Sequence, residues 1–247
     1  MTSRRRLLEG FSLSAGIAAT SALHSILQPA SAIPQTDLRA ELDSCTPQGD
    51  LFEALLQRNQ IFSKAWRRSM QSSDPKTRMQ IKQAIFDESC HINPQALVQG
   101  QRPWAAILSC ADARVAPEWI FGLGSGELFQ VRVAGNSAFN DGIASLEYAV
   151  AVLETPLIVV VGHSGCGAVK AAMGKEPLTP LLEDLVQPIR ESLRSGDDLT
   201  QAIQGNAQYA ARQITQRSNL IAEAKDSGKV RIIPVYFDLN SGLISKL

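Results

Sequence analysis

The chain has 247 residues, 45% of them hydrophobic and 19% charged, which is enough to bury a full core and reads as one globular domain rather than a disordered chain. Lysine plus arginine and aspartate plus glutamate balance at 24 each, so no net field draws it to nucleic acid, an anionic membrane or an acidic partner. The expected partner is a small molecule, and no nucleic acid.

At the start of the chain Ser3-Arg4-Arg5-Arg6-Leu7-Leu8 is followed by a weakly apolar stretch, Phe11 to Leu27, and then by Ala30-Ser31-Ala32. A basic region, a short apolar region and a small-x-small site are the parts of an export signal, and the paired arginines resemble the twin-arginine type. Residues 1–32 are therefore expected to be a signal peptide, cleaved after Ala32 to leave Ile33 first. Ser12, Ser14, Ser21, His24 and Ser25 make the stretch too polar to hold a membrane span, so no stable insertion is expected after cleavage. The destination is then an exported one, a bacterial periplasm or a thylakoid lumen.

Residues 33–100 read as an N-terminal helical arm. Asp50 can cap a helix beginning at Leu51, with Glu53 placed to reach back, and Leu51, Phe52, Leu55, Leu56, Phe62 and Trp66 recur near helical spacing. A second, more polar helix is expected from about Thr77 to Phe86, after the break at Ser72-Ser73-Asp74-Pro75.

Residues 101–247 read as an α/β core. Four short apolar runs, Trp104 to Ser109, Leu128 to Val133, Leu157 to Val161 and Val230 to Tyr236, have strand character. Between them fall helical segments: Pro117 to Ile120, Asp141 to Leu153, and long helices filling Leu181 to Lys225. This alternation predicts a four-stranded, mainly parallel sheet flanked by helices and joined by right-handed crossovers. Ligands of such sheets bind beyond the carboxyl ends of the strands, where the strand order reverses.

Two motifs occupy positions of that kind. Cys110-Ala111-Asp112-Ala113-Arg114 follows the first strand, and His163-Ser164-Gly165-Cys166 follows the third. A buried cysteine or a lone histidine is ordinarily structural. Two thiols and an imidazole at two strand ends together point to a borderline-soft metal such as zinc, for which thiolate and imidazole nitrogen are preferred donors. Asp112 could give a fourth bond, and Arg114 competes for that carboxylate and could leave the position open to water.

With these residues the chain resembles a β-class carbonic anhydrase, from about Leu51 to the C-terminus. Gln101 to Pro103, Arg132-Val133-Ala134-Gly135-Asn136, Glu147-Tyr148-Ala149-Val150, Gly162-His163-Ser164-Gly165-Cys166-Gly167 and Tyr236-Phe237-Asp238 also match that family's pattern. The resemblance implies zinc-dependent, reversible hydration of carbon dioxide to bicarbonate and a proton, with one zinc ion per subunit. It implies Cys110, His163 and Cys166 as permanent ligands, and Asp112 with Arg114 as a catalytic dyad in which Asp112 becomes a fourth ligand when Arg114 releases it. It further implies Phe129, Ala134 and Tyr148 as pocket walls, Gly167 as a backbone donor, Gln101 as a donor reaching in from a partner subunit, and assembly as a homodimer or a dimer of dimers.

Two positions depart from the family pattern. Ala113 stands where serine is frequent, which removes a hydroxyl beside the ligands. Ile107 stands where the bicarbonate-regulated branch resembles a tryptophan pattern, and this argues against a regulatory anion pocket. Cys45 and Cys90 fall outside the metal motif; in an exported protein they form either a disulfide or two unpaired thiols, and His91 beside Cys90 is too isolated to argue a second metal site. Other functions open to the sequence are hydrolysis of carbonyl sulfide or carbon disulfide on the same scaffold, and non-catalytic binding of zinc or bicarbonate.

Overall fold

The structure, a computed structural model, describes residues 34–87 and 89–247. The expected signal peptide lies outside the described residues. Among the described residues no helix is long and apolar enough to cross a membrane.

The strands are β1 (Ala105–Ser109), β2 (Leu128–Arg132), β3 (Leu157–His163), β4 (Arg231–Asp238) and β5 (Leu243–Lys246), in the order β2-β1-β3-β4-β5. The first four are parallel and β5 is antiparallel to β4. Both β1 and β3 are buried along their whole length, as expected of central parallel strands covered on both faces, whose sequences run apolar without alternation. The connection out of β1 runs to one side of the sheet and that out of β3 to the other, so the strand order reverses between these neighbours. Cys110 and Cys166 follow at that reversal.

The sheet therefore has five strands where four were expected. The fifth has four residues, of which only Ile244 is buried, so it carries no apolar run for a pattern to register. Its turn creates it. The Asp238 carboxylate accepts hydrogen bonds from the Asn240 and Ser241 amides, and Gly242 takes the left-handed φ of +69° that the reversal needs.

Helix α1 spans Gln35–Asp43, α2 Leu51–Gln71, α3 Pro75–Gln83, α4 Pro94–Gln99 and α5 Pro117–Phe121. The later helices are α6 (Asn140–Ala151), α7 (Gly167–Met173), α8 (Pro180–Arg190), α9 (Leu199–Arg217) and α10 (Asn219–Asp226). One face of the sheet packs on residues of α2, α5, α7 and α8, the other on α6 and α10, and α9 contributes to both. The expected helical stretch at 181–225 is broken twice. Asp198 forms a capping box with Gln201 at the start of α9, and the Ser218 hydroxyl caps α10.

Asp50 caps α2 by accepting from the Phe52 and Glu53 amides. The apolar face of α2 packs on its own chain: Phe52, Leu55 and Phe62 join the core, and the Trp66 indole donates to the Leu239 carbonyl at 2.8 Å. Cys45 and Cys90 form a disulfide with their Cα atoms 5.4 Å apart, which resolves the alternative that the sequence leaves open.

Candidate metal centre

β1 ends at Ser109, so Cys110 is the first residue beyond the sheet; β3 runs through His163, and Cys166 stands one tight turn later at the start of α7. Their ligand atoms all lie within 4.8 Å of one another, and all three residues are buried. The His163 Nδ1 donates to the Ser164 carbonyl at 3.1 Å, because a carbonyl oxygen can only accept. That bond leaves Nε2 as the lone-pair nitrogen, and Nε2 is buried without a hydrogen-bond partner. A buried acceptor left alone is costly, and a cation held with the two sulfurs removes the cost. The residues fit zinc.

The electrostatics of the sulfurs agree. Cys110 accepts hydrogen bonds from the Cys166 thiol and from the Gly135 amide at 3.3 Å, and its thiol is pushed down to about 4. The Cys166 thiol moves up, because it shares its proton with the Cys110 sulfur and is buried away from water. Without a cation the pair carries one negative charge and resists a second. A divalent ion between the sulfurs is what would allow both thiolates.

Asp112 is joined to Arg114 by a two-pronged ion pair: Nε donates to Oδ1 at 2.9 Å and Nη2 to Oδ2 at 2.6 Å. The Arg114 guanidinium is the main reason that the Asp112 carboxyl is held down at about 2. Asp112 is therefore an anion at any physiological pH. Its Oδ2 stands 3.9 Å from His163 Nε2, and Arg114 Nη2 also donates to the Gly165 carbonyl at 3.3 Å. One guanidinium thus ties the Asp112 loop to the turn that carries Cys166.

Three further side chains support the centre, and the sequence motifs assign none of them a role. Arg132 donates to the carbonyls of Cys110 at 3.1 Å and Asp112 at 2.8 Å, which fixes the loop between them. Asn206 of α9 donates to the Gly135 carbonyl at 2.7 Å, from a position buried among Ala202, Ile203 and Ala207. Ser164 accepts from the Leu239 amide at 2.8 Å, pinning the His163 turn to the β4–β5 hairpin. Asn206 alone gave a usable sign, a polar residue at a core position of an amphipathic helix.

The expected pocket residues divide between the two ends of the sheet. Ala134 and Gly167 flank the ligands, beside Gly135 and Cys166, and the space where a Gly167 side chain would stand is open. Gln101, Phe129 and Tyr148 do not join them. Phe129 pairs with Ala106 at the start of the strands, and its ring lies 6.2 Å from that of Tyr148. Gln101 precedes β1. With a rise of about 3.3 Å per residue, the four steps from Ala106 to Cys110 set the Phe129 backbone about 13 Å back along the strands from Cys110, and Gln101 lies farther back still. Ile107 is wholly buried in β1.

The family model described as "Carbonic anhydrase" matches residues 105–244. The chain belongs to the β-class carbonic anhydrase family. It is 37% identical to a carbonic anhydrase of Mycolicibacterium smegmatis over 159 residues, 60% of this chain and 77% of that one. It is also 37% identical to carbonic anhydrase 2 of Mycobacterium tuberculosis over 155 residues, 59% of this chain and 75% of that one. Among solved structures it is similar to a tetrameric β-carbonic anhydrase of the filamentous ascomycete Sordaria macrospora. That match has a TM-score of 0.56 at 25% identity and covers 61% of this chain and 83% of that one. A Coccomyxa β-carbonic anhydrase in complex with acetazolamide gives a TM-score of 0.55 at 26% identity, covering 61% and 74%. β-Carbonic anhydrases are zinc enzymes, and Cys110, His163 and Cys166 are this chain's group for the ion. The activity is hydration of carbon dioxide; the sulfur substrates and a non-catalytic role are not favoured.

Proposed function

We propose that this chain interconverts carbon dioxide and bicarbonate at the Cys110, His163 and Cys166 centre, with Asp112 as proton acceptor and Arg114 as the group that holds it. The observation that carries this reading is the Asp112–Arg114 pair poised 3.9 Å from the unpartnered His163 Nε2. Zinc, when bound, supplies a Lewis acid and lowers the pKa of a water molecule toward neutrality. Two thiolates offset the ion's charge and weaken that effect, so a fixed acceptor beside the centre matters more here than at an all-histidine site.

Asp112 meets that need. Each of its oxygens retains acceptor capacity after bonding Arg114, so the carboxylate can orient the attacking oxygen and take its proton. Arg114, half exposed at the mouth, keeps the carboxylate turned from the ligand atoms. A carboxylate released by Arg114 would compete for the metal as a ligand, and the same pair would then act as a switch. Ala134 presents an apolar wall and Gly167 a backbone donor, which suits a substrate with no charge and little hydrogen bonding.

The chain is further proposed to act as a homodimer or a dimer of dimers in which Gln101, Phe129 and Tyr148 serve the site of a second copy. Their position at the far end of the strands supports this, as do the tetrameric relatives from Sordaria macrospora. Export by the twin-arginine signal to a periplasm or thylakoid lumen completes the reading. The Cys45–Cys90 disulfide suits an oxidising compartment, and a route that carries folded proteins lets zinc load first.

Asp112→Ala tests the role of the dyad. The variant should keep one zinc per chain by metal analysis and lose carbon dioxide hydration by about 100-fold or more in stopped flow. Hydration at the wild-type rate would refute the assignment.

A further inference from the structure

The residue proposed to reach a second active site, Gln101, is bracketed by contacts from helix α1. On one side Leu42, itself buried, lies 3.5 Å from where a side chain on Gly100 would begin. On the other side Arg102 is paired with Asp43, and also with Glu154 at 2.7 Å. Arg39 of α1 reaches the same Glu154 oxygen at 3.2 Å, and the Asn93 amide at the head of α4 donates to Glu41 at 2.9 Å. Two residues after Asp43 comes Cys45, covalently tied to Cys90. All of these links but the Arg102–Glu154 pair join 39–45 to 90–102 or to Glu154, just past α6.

These links differ in strength. The ion pairs are solvent-exposed to 27–64% of their side chains, and pairs of that kind are individually weak and screened by salt. The disulfide is the one tie that thermal motion does not break. It lies at the opposite end of β1 from Cys110, so loosening it leaves the metal ligands and their supports in place.

We propose that the Cys45–Cys90 disulfide is a redox-dependent clamp that positions Gln101, through Leu42 on Gly100 and Asp43 on Arg102, and so tunes the carbon dioxide pocket of a neighbouring copy. This rests on the reading that Gln101 serves a second copy's site. Reduction by a dithiol breaks the S–S bond with two electrons and two protons; the reductant leaves as its own disulfide, and Cys45 and Cys90 become thiols. The Gln101 segment then keeps only its weak ties. Substrate placement suffers while the zinc centre does not.

The test compares zinc-loaded full chain with Cys45→Ser/Cys90→Ser, Gln101→Ala and the triple variant, measuring kcat and KM for carbon dioxide, zinc content and thermal midpoint. The clamp predicts that the double serine variant keeps its zinc and loses about tenfold in kcat/KM, chiefly through a higher KM. In the Gln101→Ala background the serines should add no further loss. A merely destabilising role would lower kcat, through the active fraction, at unchanged KM. Wild-type KM in the serine variant, or full additivity in the triple variant, overturns the clamp. Wild-type kinetics in Gln101→Ala alone overturns the underlying assignment of Gln101. Should the serine variant not fold, Asp43→Ala with the disulfide intact replaces it. That variant must raise KM in the same non-additive way, and an unchanged KM refutes the clamp equally.

Discussion

Gly135 meets two demands that another residue could not. Its φ is +83°, and a side chain there would begin 2.4 Å from Ile189 Cδ1 and 3.1 Å from the Ala168 Cβ. Its amide meanwhile donates to the Cys110 sulfur. Gly135→Ala combines backbone strain of about 1–2 kcal/mol with overpacking of about 1–3 kcal/mol, and moves the donor off the sulfur. The variant should unfold at a lower temperature and release zinc more readily to a competing chelator; an unchanged midpoint and zinc affinity would contradict this account. The three ligands were legible in the sequence because their residue types are unusual for strand ends and fall in two short motifs. The Gly135 amide and the Arg132 contacts were not. They act on or through backbone atoms contributed by distant parts of the chain, and a backbone contact leaves no residue-type signature.

Among the helices, α2 carries a buried amide, Asn59, that adds to its core packing. Asn59 donates to the Ile120 carbonyl at 3.1 Å and to the Gly242 carbonyl at 3.0 Å, and accepts from the Ile244 amide at 2.8 Å. One side chain thereby stitches α2 to α5 and to the antiparallel hairpin. Asn59→Ala strands three buried backbone groups, each costing about 1–3 kcal/mol if water does not enter, so denaturant unfolding should show a loss of about 3 kcal/mol or more. A loss below about 1 kcal/mol would show that the hairpin does not depend on it. The parallel strands were legible from their continuous apolar runs, and α2 from its cap and spacing. β5 was not, since its pairing depends on Asn59, the Asp238 turn and Gly242 rather than on its own composition. The N-terminal arm likewise gave no sign of α1, which lacks a side-chain cap. α4 had a readable one in Asn93 before Pro94.

At the scale of the whole molecule the sheet separates the chemistry into two ends. The carboxyl ends of β1 and β3 carry a Cys-His-Cys group, an ionised acceptor and its arginine, while the amino ends carry Gln101, Phe129, Tyr148 and the disulfide-tied segment. The family motifs named both sets, but a linear motif cannot say that its parts stand on opposite sides of one subunit. That division follows from parallel strands, which put every residue before a strand at one edge and every residue after it at the other. Zinc-dependent turnover is tested most directly by stopped-flow hydration of carbon dioxide by the full chain, loaded with zinc, stripped by chelation and reloaded, at pH 7 and pH 8.5. Turnover above the buffer rate is expected at pH 8.5 in the loaded protein, with the buffer rate after stripping and recovery on reloading with one zinc per chain. Zinc-loaded protein no faster than buffer at either pH would contradict a carbonic anhydrase activity at this centre.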